Sequence, residues 1–288
     1  MSKLRYAVHA YAWTTSWSNQ TLHLIDHTAK LGFDLIEIPL MEIAKVDPES
    51  IKTRLQAVGL GVCTSTACSE ANDLTAEDEA VRRQGVKYLK DCVKATAAMG
   101  GTVFSGVIYS AIGRKIDGMP GERYWERAAA GLKEVARYAQ DFGITIGIEP
   151  INRYETFLIN TCEQALRLKE MIGEPNVAIH LDAYHMNIEE DDFYTPTKQA
   201  APHLCHFHFS ESHRGIPGRG TVDWDSIYRA LGEANYTGVV GLESFTEVSE
   251  AMRAATCIWR KLAPSSDVLL TEGLQYLRGL EQKWYQSH

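Results

Sequence analysis

The chain has 288 residues, of which 45% are hydrophobic and 23% charged, values that are ordinary for a globular protein able to bury a full core. Its formal net charge of −8 argues against a general nucleic-acid surface, which is usually basic, and gives no reason to expect an anionic membrane partner. No segment approaches the roughly 20 apolar residues of a transmembrane helix. The N-terminus lacks the apolar run of a signal peptide, and the six cysteines form no C-x-x-C pair, so we expect reduced thiols in a cytoplasmic protein.

Short runs rich in β-branched and aromatic residues alternate along the chain with longer segments of helical periodicity. The predicted strands are Tyr6–Trp13, Leu35–Leu40, Gly61–Cys68, Thr102–Tyr109, Thr145–Ile151, Val177–His185, Cys205–Glu211 and Val239–Phe245. The predicted helices are Leu22–Leu31, Pro48–Val58, Ala76–Met99, Tyr124–Phe142, Cys162–Ile172, a short Thr197–Ala201, Trp224–Ala234, Val248–Leu262 and Leu269–Gln286. Glycine directly follows several of these helices, as expected where a helix stops before the next strand.

Eight βα units in about 250 residues are typical of a closed (β/α)8 barrel, an α/β fold. The alternative, a doubly wound open sheet, usually carries a glycine-rich nucleotide turn after its first strand. Here the first strand is followed by Thr14-Thr15-Ser16-Trp17-Ser18, which contains no glycine. No linker or shift in composition divides the sequence. We therefore predict one domain over residues 1–288, a TIM barrel with an additional C-terminal helix.

Carboxylate and imidazole side chains lie near the ends of four successive predicted strands that are otherwise apolar. Glu149, Asp182, His208 and Glu243 follow one another at intervals of 33, 26 and 35 residues, close to the roughly 30 residues of one βα repeat. In a barrel they would converge at the C-terminal mouth, where three carboxylates need a cation to share a small volume. This ligand set suits a divalent ion such as Mn²⁺, Co²⁺ or Mg²⁺, and a thiolate-rich structural zinc site is not indicated.

Other polar residues follow the same strands and would ring the mouth. Glu155 follows strand five, His185 follows strand six and Arg214 follows strand seven. Charges after a strand are usually only solvated, but these three lie on loops that would surround the four converging residues. His185 and Arg214 are suited to hold anionic or developing oxyanion oxygens.

Four segments carry a resemblance to a known family. They are Glu149-Pro-Ile-Asn-Arg-Tyr-Glu155, His180-Leu-Asp-Ala-Tyr-His-Met-Asn-Ile-Glu-Glu190, His206-Phe-His-Phe-Ser-Glu-Ser-His-Arg-Gly215 and Gly241-Leu-Glu-Ser-Phe245. They resemble the ketose 3-epimerases, the D-tagatose, D-allulose and L-ribulose 3-epimerase group of the xylose-isomerase-like barrels. The likeness covers nearly the whole chain, including Leu31-Gly-Phe-Asp-Leu-Ile-Glu37.

The resemblance implies metal-dependent epimerisation of free ketoses at C3 through a cis-enediolate. It implies one divalent ion per subunit, with Mn²⁺ as the first expectation and Co²⁺ or Mg²⁺ as alternatives, and a homodimer or homotetramer. The implied metal ligands are Glu149, Asp182, His208 and Glu243, of which Glu149 and Glu243 also form the acid–base pair. The residues implied to bind the O1–O3 end of the ketose are Glu155, His185 and Arg214. The early loops that would bind the far end of the sugar show no firm correspondence to those of the family. The preferred ketose therefore stays open.

Three other functions remain open from the sequence. An aldose–ketose isomerase on the same barrel would move a proton between C1 and C2. An abasic-site endonuclease of the same superfamily would need further metal ligands and a basic groove, and the charge of −8 does not favour it. A non-catalytic sugar-binding protein would not need two facing glutamates.

Overall fold

Eight parallel strands close into a barrel in chain order, with the last strand paired to the first. The structure, a computed structural model, describes residues 3–245 and 249–285. The strands are β1 Arg5–His9, β2 Leu35–Pro39, β3 Gly61–Cys68, β4 Val103–Ala111, β5 Thr145–Ile148, β6 Val177–Asp182, β7 Leu204–His208 and β8 Val239–Leu242. The predicted TIM barrel is confirmed.

Helices join the strands, and one more helix follows the barrel. They are α1 His23–Lys30, α2 Pro48–Val58, α3 Glu79–Met99, α4 Glu122–Gln140, α5 Cys162–Ile172, α6 Ala183–Glu189, α7 Tyr194–Ala200, α8 Trp224–Glu233, α9 Glu250–Thr256 and α10 Ser266–Tyr285. The bounds of α2 and α5 are those predicted. Each begins after a side chain that caps its first turn and ends at a glycine in the left-handed conformation, Gly59 and Gly173.

Five predicted strands extend three or four residues too far, since those predicted to end at Trp13, Ile151, His185, Glu211 and Phe245 end at His9, Ile148, Asp182, His208 and Leu242. The strand predicted to run to His185 ends at Asp182, because the Asp182 side chain accepts the Tyr184 amide and starts α6, a helix that the sequence pattern did not indicate. Similarly, β1 ends at His9, whose ring nitrogen accepts the Tyr11 amide and turns the chain into a single 3₁₀ turn.

Near the C-terminus, two predicted helices agree with the structure only in part. The predicted helix Val248–Leu262 corresponds to the shorter α9, and its first residue, Val248, lies outside the described residues. The additional C-terminal helix is α10, whose predicted last residue, Gln286, also lies outside them. In the part of the chain that the structure describes, no helix has the length and apolarity needed to cross a bilayer.

The two ends of the barrel interior differ in polarity. At the N-terminal end, a small apolar cluster of Ala7, Leu35, Cys63 and Val239 fills the interior. Two residues further along β1 and β2, the paired His9 and Glu37 are buried. Apolar residues therefore close one end of the barrel, and buried ionisable groups line the end where a TIM barrel carries its active site.

Candidate active site

The four residues predicted to bind a metal lie together at the C-terminal mouth of the barrel. Asp182 and His208 end β6 and β7 and are paired across them, while Glu149 and Glu243 directly follow β5 and β8. The Nδ1 atom of His208 lies 3.7 Å from Glu149 Oε1, 3.7 Å from Asp182 Oδ2 and 3.5 Å from Glu243 Oε2. The imidazole nitrogen thus faces an oxygen of each of the three carboxylates.

Two observations show that this group fits a divalent cation. Nδ1 of His208 is buried and has no hydrogen-bond partner among the described residues, while the other ring nitrogen is paired with Glu37. Burial raises the pKa of Glu149 well above its usual value, and the neighbouring Glu243 and Asp182 raise it further, against the effect of His208. A cation would satisfy the bare nitrogen and stabilise the crowded carboxylates.

Arg214 closes one side of this group. Its Nη1 atom donates to Asp182 Oδ2 at 2.7 Å and to Glu243 Oε2 at 2.6 Å. Its guanidinium lies over the Tyr184 ring, 4.0 Å from the centroid. Burial alone would raise the pKa of Asp182, but Arg214 holds it well below its usual value.

The backbone at Arg214 adopts an uncommon conformation to bring this side chain into the mouth. Its φ is +61°, in the left-handed region that non-glycine residues rarely occupy. The Ser244 hydroxyl donates to the Arg214 carbonyl at 2.8 Å and helps to hold it there. Strained residues of this kind cluster at functional sites.

His185 presents one ring nitrogen, in a defined protonation state, to the same site. The Asn152 amide donates to His185 Nδ1 at 3.1 Å, so the neutral ring carries its proton on Nε2. Burial lowers the pKa of His185 and favours this neutral form. Nε2 lies 3.9 Å from Asp182 Oδ2. The Asn152 side chain also donates to Glu155 Oε1 at 2.8 Å, so all seven predicted site residues lie at one mouth.

A cavity of about 270 Å³ opens above the four central residues. This volume is just below the roughly 300–1,000 Å³ that is usual for ligand pockets, which suits a molecule of monosaccharide size. Its far side is mainly apolar and is lined by Pro39, Met41, Ala67, Val107, Ile112 and Met252.

Because His9 accepts the Tyr11 amide at Nδ1, its Nε2–H donates to Ser65 Oγ at 3.0 Å. The Ser65 hydroxyl proton is therefore directed elsewhere and is a donor available at this apolar side.

Gly106 of β4 supports the site because its backbone passes very close to β3. Its φ is +120°, and a Cβ atom there would collide with the carbonyl oxygen of Thr66. The Gly106 carbonyl also accepts the Glu149 amide at 3.2 Å. A side chain at Gly106 would therefore disturb the backbone beside Glu149.

We expect Gly106→Ala to destabilise the chain by at least about 2 kcal/mol, because it combines backbone strain with overpacking. Denaturant unfolding measures this. Gly113→Ala is the matched control, since Gly113 also has a positive φ, +78°, but no atom lies within 4 Å of the position that its Cβ would take. The control should cost only about 1 kcal/mol of left-handed strain. Equal losses in the two variants would show that the close approach to Thr66 is unimportant.

Three further residues lie in the barrel interior beside the site and were not predicted to belong to it. Glu37, His9 and His206 are buried in the barrel interior beside His208. The sequence contained a signal for Glu37, since a charge interrupts the buried run Leu-Ile-Glu-Ile-Pro of β2. This is the same signal that marked the ends of strands five to eight.

Comparison with known proteins agrees with the fold. The sequence profile described as "Xylose isomerase-like TIM barrel" matches residues 25–277. A "Ketose 3-epimerase" of Arthrobacter globiformis is 37% identical over 286 residues, which cover 96% of each chain. An "L-ribulose 3-epimerase" of Methylomonas sp. is 35% identical over 96% of this chain and 97% of that protein. The crystal structure of D-allulose 3-epimerase from Methylomonas sp. in complex with D-allulose superposes with a TM-score of 0.91 at 35% identity, covering 97% of this chain and 98% of that one.

Proposed function

Because the chain belongs to the xylose isomerase-like TIM barrel family, and its relatives are named as epimerases, we propose that it is an isomerase that inverts C3 of free ketoses. The observation that carries this proposal is the pair of carboxylates, Glu149 and Glu243, whose oxygens lie 3.7 and 3.5 Å from His208 Nδ1. Substrates of the D-fructose/D-allulose, D-tagatose/D-sorbose and L-ribulose/L-xylulose type fit the names of the relatives and the size of the cavity.

Inversion at one carbon needs an acid and a base on opposite faces, and two glutamates meet that need. One removes the C3 proton, and the other returns a proton to the opposite face of the resulting cis-enediolate. Burial raises the pKa of Glu149, which favours its protonated form and so suits it to the part of the acid. In one direction of epimerisation Glu149 is the acid and Glu243 the base, and these roles exchange in the reverse reaction.

Glu155, His185 and Arg214 are proposed to bind the O1–O3 end of the ketose. The proton on Nε2 of His185 is available to an oxygen in the cavity, because Nδ1 is already an acceptor. Arg214 adds a fixed positive charge beside it, since Nη2 lies 3.4 Å from that nitrogen. Donors placed in advance where negative charge develops stabilise an enediolate more than they stabilise the neutral ketose.

Glu149, Asp182 and His208 would hold one divalent ion per subunit together with Glu243, which lies 3.5 Å from His208. We propose Mn²⁺ for this site, with Co²⁺ or Mg²⁺ as alternatives. When bound, such an ion supplies Lewis acidity at the ketose carbonyl. A homodimer or homotetramer, and a cytoplasmic location, stay predictions.

A His185→Asn variant tests the electrophilic role. We expect kcat to fall by roughly 10²- to 10³-fold, the usual cost of losing one oxyanion donor, with a much smaller change in KM. Steady-state kinetics on the preferred ketose measure this. His23→Asn is the control, because His23 lies at the start of α1, where its Nδ1 is 3.1 Å from the exposed Gln20 carbonyl. Similar kcat values for His185→Asn and wild type would remove His185 from the mechanism.

The proposed function is tested with a panel of ketohexoses and ketopentoses incubated with the purified chain and Mn²⁺. Chromatography of the products should show C3 epimers. Formation of aldoses would instead identify an aldose–ketose isomerase on the same site. Unchanged sugars throughout the panel, with the metal bound, would contradict an epimerase of free ketoses.

A further inference from the structure

Glu37 is a buried carboxylate of β2 that none of the proposed catalytic steps uses. Its side chain is fully buried inside the barrel. One oxygen, Oε2, lies 2.7 Å from His206 Nε2 and 2.9 Å from His208 Nε2. The other oxygen, Oε1, lies 3.7 Å from His9 Nε2. Three histidines from two sides of the barrel thus converge on one carboxylate.

These contacts fix where the protons of two histidines lie. Oε2 of Glu37 lies within hydrogen-bond distance of both Nε2 atoms, and a carboxylate oxygen shared by two imidazole rings accepts a hydrogen bond from each of them. His206 and His208 must both donate to it from Nε2. The neutral His208 ring then has a bare lone pair on Nδ1, the atom that faces Glu149, Asp182 and Glu243.

His206 is the second donor that holds Glu37 in place. Its Nε2–H is committed to the carboxylate, and its Nδ1 has no partner among residues 3–245 and 249–285. Gly241 permits the packing, since a Cβ atom there would lie 2.9 Å from the His206 ring. With a second donor fixing its position, Glu37 can hold the His208 ring in one orientation.

We infer that Glu37 is a positioning residue that acts through His208, holding the ring in the tautomer and orientation that present Nδ1 to the divalent ion. A carboxylate that accepts the second N–H of a histidine ligand also makes that ligand more basic. The inference rests on the proposed metal site, and its test separates the two.

The test measures Mn²⁺ affinity rather than turnover. The purified full chain is stripped with a chelator, and the Mn²⁺ dissociation constant is measured by calorimetry for wild type, Glu37→Gln and Glu281→Gln. Losing a carboxylate that supports a ligand typically weakens metal binding by 10- to 100-fold, so we expect that change for Glu37→Gln. Saturating Mn²⁺ should then restore most of its kcat, with KM for the ketose nearly unchanged.

Glu281→Gln is the matched control for removing a buried negative charge. Glu281 lies on α10, outside the mouth. Its side chain is 5% exposed and accepts the backbone amides of Lys3 and Leu4. It should bind Mn²⁺ as wild type does. A wild-type Mn²⁺ affinity in Glu37→Gln, or an equal loss in both variants, would overturn the role of Glu37. A wild-type chain that binds no divalent ion would instead overturn the proposed metal site.

A second measurement needs no folded variant of Glu37. Long-range ¹H–¹⁵N correlation spectra of the wild-type, Mg²⁺-saturated chain report the tautomer of each of its ten histidines. We expect His208 and His206 to carry their protons on Nε2. His208 is assigned by the signal that disappears in His208→Asn. A proton on His208 Nδ1 would overturn the inference.

Discussion

A Glu243→Gln variant is expected to keep its fold and its metal and, for one of the two ketose epimers, to lose the exchange of the C3 proton with deuterated water. The amide retains an oxygen that can face the ion but cannot take up a proton. A positioned general acid or base contributes about 10²- to 10⁴-fold to a rate, so epimerisation should fall by a factor in that range. Proton NMR of the ketose in deuterated water follows both epimerisation and exchange.

The two epimers make this test sharper. Glu243→Gln should abolish exchange from the epimer whose C3 proton faces Glu243 and leave slow exchange from the other epimer. Glu149→Gln should give the opposite pattern. Glu281→Gln, which removes a buried carboxylate remote from the mouth, should exchange both epimers at the wild-type rate. Near wild-type exchange of both epimers by Glu243→Gln would contradict its role as an acid–base residue.

The barrel and its central residues were predictable because both depend on short-range patterns. Each βα unit carries its own hydrophobic alternation and stop signals, and the repeat length places one strand end in each unit. Glu149, Asp182, His208 and Glu243 then converge because neighbouring strand ends in a closed parallel barrel meet at one mouth. The start of α6 was less accessible, since it depends on one side-chain contact of Asp182 with the Tyr184 amide.

The residues that hold the site residues in place were harder to predict, because their contacts join strands that are distant in the sequence. Glu37 acts on His206 and His208, which lie 169 and 171 residues further along the chain. No spacing rule connects β2 with β7. The sequence shows a charge in a buried strand, and only the closed barrel shows which histidines it contacts.

The far side of the cavity escaped prediction for a different reason. Met41, Ala67, Val107, Ile112 and Met252 come from four separate segments and are apolar. Apolar side chains in a sequence are usually core residues, and pattern alone does not distinguish those that line a pocket. The polar end of the site was visible because ionisable groups are expensive to bury, and the apolar end carries no such signal.

Removing divalent metal ions with a chelator is expected to abolish epimerisation and to lower the unfolding temperature of the chain. Without a cation, three carboxylates crowd around Nδ1 of His208, and burial raises the pKa of Glu149. A ligand that binds only the folded state at 100 times its dissociation constant stabilises that state by about 2.7 kcal/mol. Differential scanning calorimetry with and without added metal measures the shift.

Adding metals back should distinguish the ions. Mn²⁺, and in turn Co²⁺ and Mg²⁺, should restore both activity and the unfolding temperature, because oxygen ligands with one imidazole suit these ions. Ca²⁺, which prefers six to eight oxygen ligands at longer distances, should restore less. Glu281→Gln should show the same metal-dependent shift as wild type, since its substitution lies outside the site. Full activity after exhaustive chelation, with no metal detected in the protein, would contradict a metal-dependent reaction.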